Sequence, residues 1–254
     1  MNDHLNRTVE YSYPPKRMIS LAPGITDTLY SLQLDDEVVG RTRYCIYPKN
    51  KVEQSETIGG TKKVNVDKIR SLKPDLIIAE KEENTKEIVE MLEKEFPVYV
   101  AEVQTVDDAY KMIESMGKIT AREQQAEQLI SSIKSGFSDL PKVEHKKIGY
   151  VIWTNPYMVV GNNTYINSVL TQLGYDNVFN RFEGRYPTVT LEDLQKANLD
   201  ELFLATEPFP FKKEHLEQFS ELLPNVKISI IDGEMFWYGP RMLDATQYFQ
   251  KHLT

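Results

Sequence analysis

One short pattern occurs twice in this chain at a fixed spacing. Residues 64–78 run VNVDKIRSLKPDLII and residues 189–203 run VTLEDLQKANLDELF. Val64 matches Val189, Asp67 matches Glu192, Ile69 matches Leu194, Asp75 matches Asp200 and Ile77 matches Leu202. Each copy predicts a short helix feeding a buried strand. A duplicated unit implies two similarly built lobes, a cleft between them, and two acids at equivalent points on one surface. That is the plan of a clamp that binds a solute.

The rest of the chain fits this plan. Strand-like runs at 17–21, 36–40, 75–79 and 98–101 alternate with helical segments, as do those at 147–153 and 227–231 with the matched helix and strand of 190–205 between them, which predicts parallel α/β sheets. The expected fold is α/β: two Rossmann-like lobes with parallel sheets, bridged by one long helix. The expected domains are an N-terminal lobe over 1–105, a helical segment over 106–140 that includes the bridging helix, and a C-terminal lobe over 141–254. Within the helical segment Ala109, Met112, Ile113 and Met116 form one stripe that Gly117 and Thr120 interrupt. Thr120 and Glu123 have the spacing of a capping box opening the next helix.

Composition narrows the function. The net charge of −8 disfavours nucleic acid, whose phosphates need clustered Lys and Arg. One cysteine, Cys45, allows no internal disulfide, and the four histidines lack ligand-like spacing. Neither a resident metal nor a cofactor is expected, and Cys45 reads as an inert small hydrophobe. No run approaches the length of a transmembrane segment. The polar N-terminus lacks the apolar stretch of a signal peptide, so the chain as written reads as cytoplasmic, or as periplasmic or cell-envelope if a leader has been removed.

Ligands of open parallel sheets sit beyond the carboxyl ends of the strands. The loops there carry Arg43 and Tyr44, Thr61 and Lys62, Trp153, Arg185 and Tyr186, and Trp237 and Tyr238. Aromatic faces mixed with cations suit a large flat ligand bearing carboxylates or phosphate. The acids Glu80, Glu82 and Glu83 read as a solvated helix start. No loop pairs a nucleophile with a histidine base, so the chain is not expected to be an enzyme.

The segments RMISLAPGITDTLYSL, GRTRYCIYP and IGGTKKVNVDKIRSLKPDLIIA, with TVTLEDLQKANLDELFLA in the second half, resemble the helical-backbone (class III) substrate-binding proteins of ABC importers for vitamin B12 and iron–siderophores. The GGTK, KEEN, RYP, EPFPF and WYGP stretches resemble a cobalamin-binding-like subgroup without a signal peptide. The resemblance implies a corrinoid or ferric-siderophore ligand in the interlobe cleft, and a transporter permease as partner. It also implies docking of that permease through Asp67 and Glu192. The alternatives are a cytosolic tetrapyrrole- or corrinoid-processing enzyme, with Glu80 or Glu207 as acid/base, and a regulatory interaction module without a ligand.

Overall fold

The apolar runs of the sequence pair side by side as strands in a computed structural model, which describes residues 1–253. The chain forms two compact units. Unit 1 comprises Met1–Val103, Asp107–Ser135 and Tyr238–Pro240; unit 2 comprises Gln104–Val106, Gly136–Trp237 and the chain from Arg241 on.

Unit 1 begins with β1 (Met18–Ser20), α1 (Pro23–Ser31) and β2 (Val38–Arg41), followed by three short strands, β3 (Glu56–Thr57), β4 (Gly59–Gly60) and β5 (Lys63–Val64). Then come α2 (Val66–Leu72), β6 (Leu76–Glu80), α3 (Lys86–Leu92), β7 (Val98–Ala101), α4 (Val106–Thr120) and α5 (Glu123–Ser138), of which Val106 and the last turn of α5 from Gly136 count with unit 2. The sheet order is β3-β2-β1-β6-β7, with every pairing parallel. All five residues of β6 are buried, as a strand covered on both faces requires. Ile19, Leu21, Ile69, Ile77 and Val100 pack in one apolar cluster, and each such side chain contributes about 1.5–3 kcal/mol by leaving water.

Unit 2 holds β8 (Lys147–Trp153), β9 (Tyr157–Val159), α6 (Tyr165–Gln172), β10 (Asp176–Asn177), β11 (Thr188–Val189) and α7 (Leu191–Lys196). It continues with β12 (Glu201–Ala205), α8 (Lys213–Leu222), β13 (Lys227–Ile231) and α9 (Arg241–His252). β8, β10, β12 and β13 pair in parallel, and β9 returns antiparallel to β8 through a tight turn in which Asn155 takes φ 56°.

The repeated sequence makes the same local structure twice. Asn65 caps α2 by accepting from Lys68 N–H at 3.0 Å, and Thr190 caps α7 by accepting from Asp193 N–H at 3.1 Å. Asp67 and Glu192 both fall on the second residue of the helix. Asp75 accepts from the N–H groups of Lys16 and Arg17 at 2.7 and 3.0 Å, just ahead of β1. Asp200 accepts from Lys147 N–H at 2.8 Å, at the start of β8. The matched aspartates thus anchor the neighbouring strand in each sheet.

The helical segment departs from the sequence expectation. Gly117 and Thr120 lie inside α4, and the Thr120 hydroxyl donates back to Met116 O at 2.7 Å instead of capping α5. Gly117 serves close packing: a Cβ there would lie 2.6 Å from the Ala126 Cβ of α5. The helix ends at Ala121, which takes φ 56°.

Candidate functional site

The carboxyl end of the unit 1 sheet is built from four loops tied to one another. After β2, Arg43 N–H donates to Gly59 O at 2.8 Å, joining this loop to the β4–β5 hairpin. The Arg43 guanidinium lies 5.0 Å from the Tyr44 ring centroid, and its Nη2 donates to the Tyr44 hydroxyl at 3.0 Å. Tyr44 is 48% exposed. Gly60 lies beneath this pair, since a Cβ there would come 3.2 Å from Tyr44 Cε2. Gly59, at φ 120°, leaves no room for a side chain because a Cβ would meet Lys63 O at 2.6 Å.

Asn84 joins the hairpin to the strands. Its Nδ2 donates to Leu21 O at 3.1 Å and Thr61 O at 3.0 Å, and its Oδ1 accepts from Glu80 N–H at 2.9 Å. Thr61 is accordingly buried. Lys62 is exposed, and its Nζ donates to Glu82 O at 2.6 Å.

Glu80 is not the solvated acid that the local charge run predicts. It is 2% exposed and sits at the end of β6. Its Oε2 accepts from the N–H groups of Glu82 and Glu83 at 2.8 and 3.0 Å, and its Oε1 from Val103 N–H at 3.1 Å. Burial pushes its carboxyl up to about 7, against the downward pull of those three donors.

Cys45 is fully buried, with Thr26 Oγ1 3.0 Å and Thr42 Oγ1 3.2 Å from its sulfur. Burial raises its pKa, which leaves it a packing residue and not a nucleophile.

Tyr238 belongs to this unit although it comes late in the chain. Its ring lies against Gly24 at the first turn of α1. Gly239, at φ 92°, follows it against Thr28 and Gly24 O. Burial, then the charges of Glu80, Glu83 and Glu82, push the Tyr238 phenol well above its ordinary value.

In unit 2 the loops after β8 and β12 meet. Trp153 is 40% exposed, with Phe209 edge-on at 5.6 Å between ring centroids. Phe209 N–H donates to Ile152 O at 3.3 Å, which holds the β12 loop beside the end of β8. Trp237 is half-buried, and its indole N–H donates to Glu207 Oε1. Glu207 lies over Gly233, where a Cβ would sit 2.5 Å from Glu207 Cγ. Arg185 and Tyr186 are half-buried on a segment pressed against Gly161, whose N–H donates to Arg185 O at 2.8 Å.

The structure therefore groups Arg43, Tyr44, Thr61, Lys62 and Tyr238 on unit 1, and Trp153, Arg185, Tyr186 and Trp237 on unit 2. Ile46 and Phe182, 40% and 39% exposed, are large apolar side chains that the sequence reading did not single out. The signal for Ile46 is its two-residue spacing from Tyr44 around the buried Cys45. Asp67 and Glu192 are exposed on α2 and α7. Arg70 pairs with Asp67 at 2.8 Å, and Lys196 pairs with Glu192. Among the described residues no group of three or more His, Cys, Asp or Glu side chains is placed to hold a metal ion. Also among them, no helix is long and apolar enough to cross a membrane.

The family described as periplasmic binding protein matches residues 18–222. An uncharacterized ABC transporter substrate-binding lipoprotein of Bacillus subtilis, YvrC, is 28% identical over 97% of this chain and 82% of its own. A vitamin B12-binding protein of Vibrio cholerae is 27% identical over 72% of this chain and 67% of its own. Among solved structures, the periplasmic vitamin B12 binding protein BtuF of Vibrio cholerae superposes with a TM-score of 0.77. That match covers 94% of this chain and 96% of that one, at 22% identity, a likeness of fold.

Proposed function

The chain belongs to the periplasmic binding protein family, and from that premise we propose that it is the non-enzymatic solute-binding component of an ABC importer. Its ligand in this reading is a corrinoid of the cobalamin type, or else a ferric siderophore or related metal chelate. Tyr44, Trp153, Tyr186, Trp237 and Tyr238 supply aromatic contact. Arg43, Lys62 and Arg185 meet acidic or phosphate groups of the ligand, and Thr61 contributes through the loop it anchors. Asp67 and Glu192 dock on a permease, which places the protein's work in the cell envelope.

The observation that carries this reading is the exposed Arg43–Tyr44 pair at the carboxyl end of the first sheet. A guanidinium stacked on a water-exposed ring is a ready surface for a planar, anionic ligand. Trp153, exposed at the end of β8, supports the same use of the second sheet.

Isothermal titration with cyanocobalamin, cobinamide, haem and a ferric siderophore tests the proposal. Micromolar or tighter binding of cyanocobalamin or cobinamide is expected. If none of the four binds, the solute-binding reading fails and the family match describes the fold alone.

A further inference from the structure

Glu80 joins two parts of unit 1 that are distant in sequence. Oε2 holds the turn at 81–84 through two N–H groups, and Oε1 holds Val103, the last residue before the chain leaves this unit. The turn in turn presents Lys62, whose Nζ is bound to Glu82 O. A connected path runs from Val103 through Glu80 and Glu82 to a cation of the candidate face.

We propose that Glu80 is a positioning residue for the ligand face of unit 1, joining the 81–84 turn to Val103 through a tie that one proton on Oε1 undoes. The ligand part of this inference rests on the solute-binding reading above; the tie itself does not.

The chemistry follows from the donor pattern. An ionised carboxylate accepts from all three N–H groups. A protonated one carries a hydroxyl, which cannot face a main-chain N–H as an acceptor of the same strength. Oε2 serves two donors and Oε1 one, so the proton goes to Oε1 and Val103 is released.

The groups around Glu80 are few. Glu82 and Glu83 lie on its own turn, and Glu82 adds to the upward push on Glu80. Burial raises Glu83 as well, with Lys62 opposing. The Glu80 charge adds to the burial that raises the Tyr238 phenol, in the WYGP segment, and that phenol stays neutral throughout. Lys81 is engaged by Glu102 at 2.6 Å. Protonation of Glu80 therefore falls near neutrality, within the range of ordinary external pH.

Amide hydrogen exchange on the full chain, corrected for intrinsic rates and followed by NMR from pH 5.5 to 8.5, tests the tie. Val103 protection is expected to fall about tenfold or more as pH drops through 7, while the Glu82 and Glu83 amides hold theirs. In Glu80→Gln the amide oxygen takes the place of Oε2 and its NH2 faces Val103, so Val103 is weakly protected at every pH. A flat Val103 profile in the natural protein, or a variant that tracks it, overturns the inference. Should the variant not fold, the natural protein's profile and the carboxyl carbon titration of Glu80 decide it alone.

Cyanocobalamin titrated at pH 6 and pH 8 then separates the two claims. Severalfold weaker binding at pH 6, abolished in Glu80→Gln, is expected. Equal affinity at both pH values overturns the positioning role. No binding at either pH, with the expected exchange profile, sinks the ligand reading and leaves the tie standing.

Discussion

The ring of Tyr238 fills the space that a side chain on Gly24 would need. A Cβ at residue 24 would fall 2.4 Å from Tyr238 Cε2 and 2.8 Å from Tyr238 O. Gly24→Ala is therefore expected to destabilise the protein by about 1–3 kcal/mol, the usual cost of overpacking a tight contact. Denaturant midpoints measure it. Combined with Tyr238→Ala, the loss is expected to shrink below the sum of the two single losses, because the ring that causes the clash is gone. Additive losses would mean that the contact does not govern this site.

Asp75 and Asp200 perform one task in two places, so their loss should have matched effects. Asp75→Ala and Asp200→Ala are each expected to cost about 0.5–1.5 kcal/mol, the value of the strand-anchoring hydrogen bonds. The double variant should show the sum, since the residues share no partner. Equilibrium urea unfolding provides the comparison.

Trp153→Ala and Trp237→Ala are each expected to weaken cyanocobalamin binding by about 1–3 kcal/mol, the range for an aromatic anchor. Titration calorimetry reads this directly. Unchanged affinity in both variants would remove these residues from the ligand site. Glu207→Gln should act in the same direction as Trp237→Ala but less strongly, because it weakens only the bond that orients the indole.

Reversal of the matched acids, Asp67→Lys with Glu192→Lys, is expected to leave ligand affinity and melting temperature where they are. Transport through a reconstituted permease should be lost. Both side chains are exposed and make only surface ion pairs, which hold little stability. A variant that still supports uptake at the natural rate would sink the docking role.

The Glu80 carboxyl binds its proton more tightly in the folded chain than in the unfolded one, about 7 against the ordinary 4.5. The folded state thus keeps a proton between these values that the unfolded state has released. This contribution to stability is fully present below the ordinary value and is lost as pH rises through 7. It amounts to at most about 3 kcal/mol. Global stability is expected to decline across that interval in the natural protein and to be flatter in Glu80→Gln. The local tie to Val103 runs the other way, strongest at high pH, so melting and exchange profiles of opposite sign distinguish the two effects.

Much of the fold was legible because buried strands are short apolar runs with sharp ends. Val98–Ala101, Lys147–Trp153 and Lys227–Ile231 have the bounds their residues predict. The repeat also carried structural information, since Asp75 and Asp200 do the same work. What stayed hidden depends on contacts across the sequence. Glu80 sits in a charge run that looks solvated, and one of the donors its buried carboxylate meets, Val103 N–H, lies far along the chain. The Thr120–Glu123 spacing has the form of a cap, but the Thr120 hydroxyl turns back along its own helix. The loops of the candidate site follow from the strand-end rule. Which side chains are open to solvent does not: Thr61 and Lys62 are neighbours in one candidate loop, yet Thr61 is buried and Lys62 exposed.

Unit 1 takes three of its residues, Tyr238–Pro240, from near the end of the chain. During synthesis the first turn of α1 emerges early and waits for them, with Gly24 and Thr28 uncovered until almost the whole polypeptide has been made. The unit that starts first is thus completed among the last, and a chain cut short before Tyr238 lacks a piece of its N-terminal half as well as its C-terminal helix.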